Sequence, residues 1–113
     1  MKFSVFQFVL TDKMIHEVNS SENRPEFYKL YLDTTWKPTA DAILAAKSYY
    51  KKVATIDADS LSEVFDIGNI GPESNITRHA PMHSVSVGDV IVDESGSATF
   101  VDRIGFGSVA FSG

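Results

Sequence analysis

The side chains best suited to chemistry in this chain gather in one run, Arg78-His-Ala-Pro-Met-His-Ser-Val-Ser-Val-Gly-Asp89, with Glu73 just before it. A nucleophilic serine needs a base within hydrogen-bond reach and a third group that orients the base. Ser84 or Ser86, His79 or His83, and Asp89 supply the three residue types. The run has neither a nucleophile elbow nor a recognisable oxyanion-hole sequence, so no catalytic residue is assigned. A metal site is the other chemical option. His79 and His83 stand four apart, a spacing that puts two imidazoles on one face of a helix, but Pro81 between them argues against a helix. Glu73 or Asp89 could complete a His, His, carboxylate set. Three histidines in the whole chain do not single one out, and no metal ligand or cofactor is assigned. What remains is a binding surface centred on Arg78, His79, His83, Ser84 and Asp89, carried on a loop.

The elements that must position this loop are read from periodicity. Phe3, Val5, Gln7 and Val9 alternate with Ser4, Phe6, Phe8 and Leu10, and apolar residues on both sides predict a central strand covered on both faces. Thr11 caps a short helix, Asp12 to Val18, with His16 on its polar side. A polar loop spans 19–25, and alternation over Phe27 to Leu32 predicts a second strand ending near Asp33-Thr34-Thr35. Thr39 caps a helix running to about Lys47. Tyr50 to Asp57 then reads either as a strand or as the continuation of one long helix from Thr39 through Val53. Asp59 or Ser60 begins a helix with Leu61, Val64 and Phe65 on its contact face and Gly68 as its stop. Residues 69–82 form the longest irregular stretch, of the kind that often carries function.

From His83 to Phe106 the chain alternates, pauses at Asp93-Glu94-Ser95-Gly96 and alternates again, which predicts an antiparallel hairpin. Gly88 suits a bend or bulge at its start, where the Asp89 carboxylate can accept nearby backbone N–H groups. Gly105 and Gly107 let Phe106 plug the core. These elements add up to one small α+β domain spanning 1–113. Its sheet is curved, antiparallel or mixed, of four to six strands, with a half-open barrel as one possible form and two or three short helices at one side.

Composition limits the function classes. The chain has 113 residues, 43% of them hydrophobic and 22% charged, with 8 Phe, 4 Tyr and 1 Trp, the profile of a self-sufficient globular domain. It has no cysteine, which excludes disulfides, thiolate metal sites and cysteine nucleophiles. No apolar run approaches a membrane span, and a cytoplasmic protein with no membrane partner is expected. The net charge of −5 is uneven: residues 1–57 balance to +1, whereas residues 58–113 balance to −6. An acidic C-terminal half disfavours a broad phosphate-binding face. Lys47, Lys51 and Lys52 around Tyr49 and Tyr50 form the one basic and aromatic concentration, a platform on which single-stranded nucleic acid could stack, with Trp36 as a further ring.

The segments Tyr50-Lys-Lys-Val-Ala-Thr-Ile-Asp57, Asp59-Ser-Leu-Ser-Glu-Val-Phe65, Asn69, Ser84-Val-Ser-Val-Gly-Asp-Val-Ile91 and Val101-Asp-Arg-Ile-Gly-Phe106 carry a resemblance. In this order they resemble the YodL-like group of small proteins carried by phages, plasmids and their hosts. The resemblance covers the C-terminal 60 or so residues well and the first 45 loosely. It implies an α+β fold and a mobile-element setting, and it implies no reaction. The resulting expectation is an accessory protein of a phage or other mobile element, acting by binding a host or phage protein in the host cytoplasm. A small nucleic-acid-binding module is the alternative, and a small hydrolase or metal enzyme using the 79–89 loop is the second.

Overall fold

In the computed structural model, which describes residues 1–20 and 25–111, the alternating N-terminus forms strand β1 (Lys2–Phe8). It lies between β2 (Tyr50–Asp57) and β4 (Val90–Val92), both antiparallel to it. Outside β2 runs β3 (Ile76–Arg78), and outside β4 run β5 (Ala98–Val101) and then β6 (Phe106–Ser108), again antiparallel. The order is β3-β2-β1-β4-β5-β6, so β1 is central as its two apolar faces require. The fold is α+β. The sheet is antiparallel throughout and does not close, with β3 and β6 as its edges. Between Val5 and Phe6 the register with β2 slips by one residue. This bulge leaves the Val53 carbonyl free to receive the N–H groups of His79 (2.8 Å) and Ala80 (3.2 Å), which fixes the start of the candidate loop.

Among the described residues four α-helices accompany the sheet, more than the two or three expected. In α1 (Asp12–Ser20) the Thr11 hydroxyl accepts from Met14 N–H at 3.2 Å, as its cap position predicts. Asn19 and Ser20, expected to open a loop over 19–25, instead complete α1, and residues 21–24 lie outside the described residues. The strand expected over Phe27 to Leu32 is instead helix α2 (Glu26–Trp36), with Phe27 and Thr34 buried. Pro25 stands at its N-cap, where a missing N–H costs nothing. Helix α3 (Ala40–Ala45) is capped by Thr39, whose hydroxyl accepts from Ala42 N–H at 3.1 Å. It gives way to a single 3-10 turn (Lys47–Tyr49) and then to β2, so 39–53 is helix followed by strand. Helix α4 (Leu61–Ile70) starts at Ser60, whose hydroxyl accepts from Glu63 N–H at 3.1 Å. It does not stop at Gly68. Its cap is Gly71, with a φ of 107°, and Gly68 lies inside the helix, where a Cβ would stand 2.2 Å from Val85 Cγ2.

The helices cover both faces of the sheet and are not gathered at one side. On one face, Val64 and Ile67 of α4 pack with Val5, Ile56, Ile91 and Val101. On the other, Ile43 of α3 packs with Val90, Phe100, Val109 and Phe111. Consecutive Val90 and Ile91 enter opposite cores, as a strand's alternation dictates. Phe106 packs against the α4 side but stays half-buried, so it lines a surface recess and does not plug the core. The hairpin begins at Val90, not at His83: residues 83–89 are irregular and only Val85 among the alternating valines is fully buried. The irregular stretch expected over 69–82 is shorter than predicted, since Asn69 and Ile70 finish α4 and Ile76–Arg78 form β3. The irregular segment is 79–89.

Candidate functional site

Loop 79–89 crosses one end of the sheet and is held there by side chains of other elements. The central strand supplies the first. Gln7 follows Phe3 and Val5 on the inward side of β1 and is 2% exposed. Its amide donates to the His83 carbonyl (2.9 Å) and to Asp89 Oδ2 (3.0 Å), while its Oε1 accepts from His83 N–H (3.2 Å). Helix α4 supplies the second: Asn69 Nδ2 donates to the Val85 carbonyl at 3.0 Å. The loop itself supplies the third, because Asp89 Oδ2 also accepts from Ser86 N–H at 2.9 Å and closes the turn that Gly88, with φ 93°, makes possible. On the far side the Tyr50 hydroxyl donates to the Gly88 carbonyl.

The histidine tautomer follows from its neighbours. His83 Nδ1 lies 2.7 Å from the Ser84 carbonyl, which can only accept, so Nδ1 carries the proton. The Gln7 amide, 3.2 Å from the same nitrogen, therefore spends its two hydrogens on the His83 carbonyl and Asp89. Nε2 is left as the ring's acceptor when neutral.

Asp89 is 3% exposed, and burial pushes its carboxyl up to about 6 against the downward pull of the Ser86 N–H, the His83 charge and the Gln7 amide. Burial likewise pushes the Tyr50 phenol up. A folded-state value above the unfolded one means that the native state binds the Asp89 proton more tightly. Stability contributed by that proton is present below about pH 4 and is lost as pH rises through about 6. Wild type is therefore expected to gain about 1 kcal/mol between pH 7.5 and pH 5 relative to Asp89→Asn, whose amide oxygen can take the same two hydrogen bonds without titrating. Urea midpoints of the two proteins at both pH values check this, and a constant difference would mean that Asp89 ionises freely.

The five residues expected to form the surface do not converge as one group. Arg78, His83 and Ser84 line a cleft of about 200 Å³ with Asn69, Glu73 and Met82. Arg78 holds Glu73 through both guanidinium nitrogens, Nη2 to Oε1 at 3.0 Å, and this hydrogen-bonded charge keeps the Glu73 carboxyl below its usual range. His79 turns away, its Nε2 2.8 Å from Thr55 Oγ1. Asp89 lies beneath the loop and faces a second recess of about 30 Å³ with Tyr31, Thr34, Tyr50 and Ser86, room for about one or two water molecules. Each imidazole is thus engaged by a carbonyl or a threonine hydroxyl, not by a serine. Among the described residues, no three His, Asp or Glu side chains gather as a metal-ligand set.

Sequence reasoning missed Gln7 as the residue that ties the loop to the sheet. Its signal was a polar side chain in the apolar phase of a strand covered on both faces. Asn69 appeared only as part of the resemblance, and its contact with Val85 gives it a physical role. The Tyr49 and Tyr50 platform is turned inward: Tyr49 stacks on Phe8 at 5.1 Å between ring centroids, and Tyr50 meets Phe8 and Phe111 edge-on. Lys47 lies over Phe111. No described helix is long and apolar enough to cross a membrane. Comparison with protein-family models, curated proteins and solved structures finds no match for this chain.

Proposed function

We propose that this chain is an accessory protein of a phage or other mobile element. It acts in the host cytoplasm by binding a host or phage protein, without catalysing a reaction, through loop 79–89 and the cleft beside it. The observation that carries this reading is how the loop is held. Gln7 of β1, Asn69 of α4 and its own Asp89 fix the backbone at His83, Val85 and Ser86. His83, Ser84 and Ser86 themselves remain exposed. A loop ordered before binding loses little conformational freedom on contact, which favours recognition. The cleft is about 200 Å³. That is below the roughly 300 Å³ where small-molecule pockets begin and fits a single anchoring side chain of a partner. The nucleic-acid alternative is less supported, since both tyrosine rings it needs for stacking are packed against phenylalanines.

The test is affinity capture from a host lysate with the wild type, with Ser84→Trp, which fills the cleft from an exposed position, and with Glu17→Ala on α1 as a control. A protein partner kept by the wild type and the control and lost by Ser84→Trp supports the reading. Full retention by Ser84→Trp removes the cleft from it. Captured nucleic acid that is released steeply by added salt would replace it with the alternative.

A further inference from the structure

We propose that the end of the sheet carrying the β5–β6 turn is a self-association surface, through which two copies of this chain form a two-fold symmetric dimer. This is independent of the loop 79–89 reading. The turn is tight, with Asp102 N–H donating to the Gly105 carbonyl at 3.0 Å, and its tip carries Ile104, which is 94% exposed. Turn tips favour Gly, Asn, Asp, Ser and Pro, so an isoleucine there costs solubility without helping the turn. Beside it the Arg103 guanidinium lies over Trp36, 5.6 Å from the ring centroid, and that indole is 63% exposed. On the other side of Arg103 opens a recess of about 330 Å³ lined by Phe65, Asp66, Val101, Asp102, Arg103 and Phe106, with Phe65 37% exposed.

An apolar knob and a recess of mixed lining, Phe65, Val101 and Phe106 beside Asp66 and Asp102, therefore flank the same arginine. A two-fold axis places each copy's knob in the other's recess, because an isologous interface brings one patch against itself. Charge selects the same occupant. Arg103 and Asp66 line one recess, and among the described residues no carboxylate lies within ion-pair distance of Arg103. A uniformly basic partner would leave Arg103 facing like charge, and a uniformly acidic one would do so to Asp66 and Asp102. A second copy offers Asp66 to Arg103 and Arg103 to Asp66. The buried centre then contains Trp, Arg and aliphatic groups, the residue types that dominate interface energies.

The test is sedimentation velocity of the full chain up to about 100 µM, where a micromolar dissociation constant leaves mostly dimer. The expected mass is twice the 12.4 kDa of one chain. Ile104→Asp and Arg103→Glu should each weaken association about tenfold or more. The double variant Arg103→Glu, Asp66→Arg should recover it. Both single sites are exposed, and circular dichroism confirms folding in each case. A monomeric wild type at the highest concentration overturns the proposal, as does a dimer that Ile104→Asp leaves intact. Failure of the charge-swapped pair to recover association overturns the two-fold arrangement.

Discussion

Gly88→Ala is expected to lower the stability of the domain by about 3 kcal/mol or more, through two causes that act together. Gly88 has φ 93°, where a residue with a Cβ is strained by about 1–2 kcal/mol. The added Cβ would also stand 2.3 Å from the Thr34 carbonyl oxygen and 3.0 Å from its carbon. Those atoms are backbone at the end of α2, so no side-chain rotation relieves the overlap. Gly88 cannot retreat either: its N–H donates to the Val101 carbonyl at 2.8 Å and its own carbonyl receives the Tyr50 hydroxyl. Urea unfolding of the variant measures the loss. A cost under about 1 kcal/mol would show that the last turn of α2 moves aside freely. Gly96 is the internal contrast, having a φ of 90° with nothing within 4 Å of its Cβ position, so alanine there meets only the backbone strain.

That bend was legible from Gly88-Asp89 alone, because the glycine conformation and the aspartate turn are local. The central β1 was legible for a similar reason: apolar residues in both phases leave a strand few places except between two cores. Helix α2 was not. Phe27-Tyr-Lys-Leu-Tyr-Leu32 is apolar in nearly every position and fits a period of two as well as one of 3.6, and Thr34, the buried partner of Phe27 two helical turns on, lies beyond that stretch. Pro25 followed by Glu26 was the local sign of a helix start.

The irregular run before the hairpin misled in the opposite sense. Ser84-Val-Ser-Val87 alternates like a strand, but the alternation records one buried anchor, Val85, seated against Gly68 of α4. Because Val85 needs that close approach, Gly68 is glycine for packing and not as a helix stop. Arg78, His83 and Ser84 were found because they are neighbours in sequence. Gln7 stands 76 residues from His83, and no spacing rule reaches that far. Its polarity in an apolar phase was visible, while its partners became visible only when β4 was placed beside β1.

Gln7→Leu is the second large effect, and its pH dependence distinguishes a tether from a space-filler. Leucine matches the volume closely and is welcome in an apolar phase, so packing alone predicts little change. The hydrogen bonds predict otherwise. The substitution strips a donor from the His83 carbonyl and from Asp89, and an acceptor from His83 N–H, at a position 2% exposed. Buried polar groups left unpaired cost about 1–3 kcal/mol each, so a loss of about 3 kcal/mol is expected at pH 7.5. The Gln7 amide supports the ionised form of Asp89, so removing it raises that carboxyl above about 6 and makes the charged state dearer to keep. At pH 5 the carboxyl is mostly protonated in both proteins, and the gap between them should narrow by about 1 kcal/mol. Gln7→Glu sharpens the contrast: it sets a second carboxylate against Asp89 at pH 7.5, and uptake of one proton between the two relieves it on acidification. Urea midpoints at both pH values decide the matter. A Leu variant as stable as wild type, or a gap that stays constant with pH, would mean that Val85 and Gly88 seat the loop without the amide.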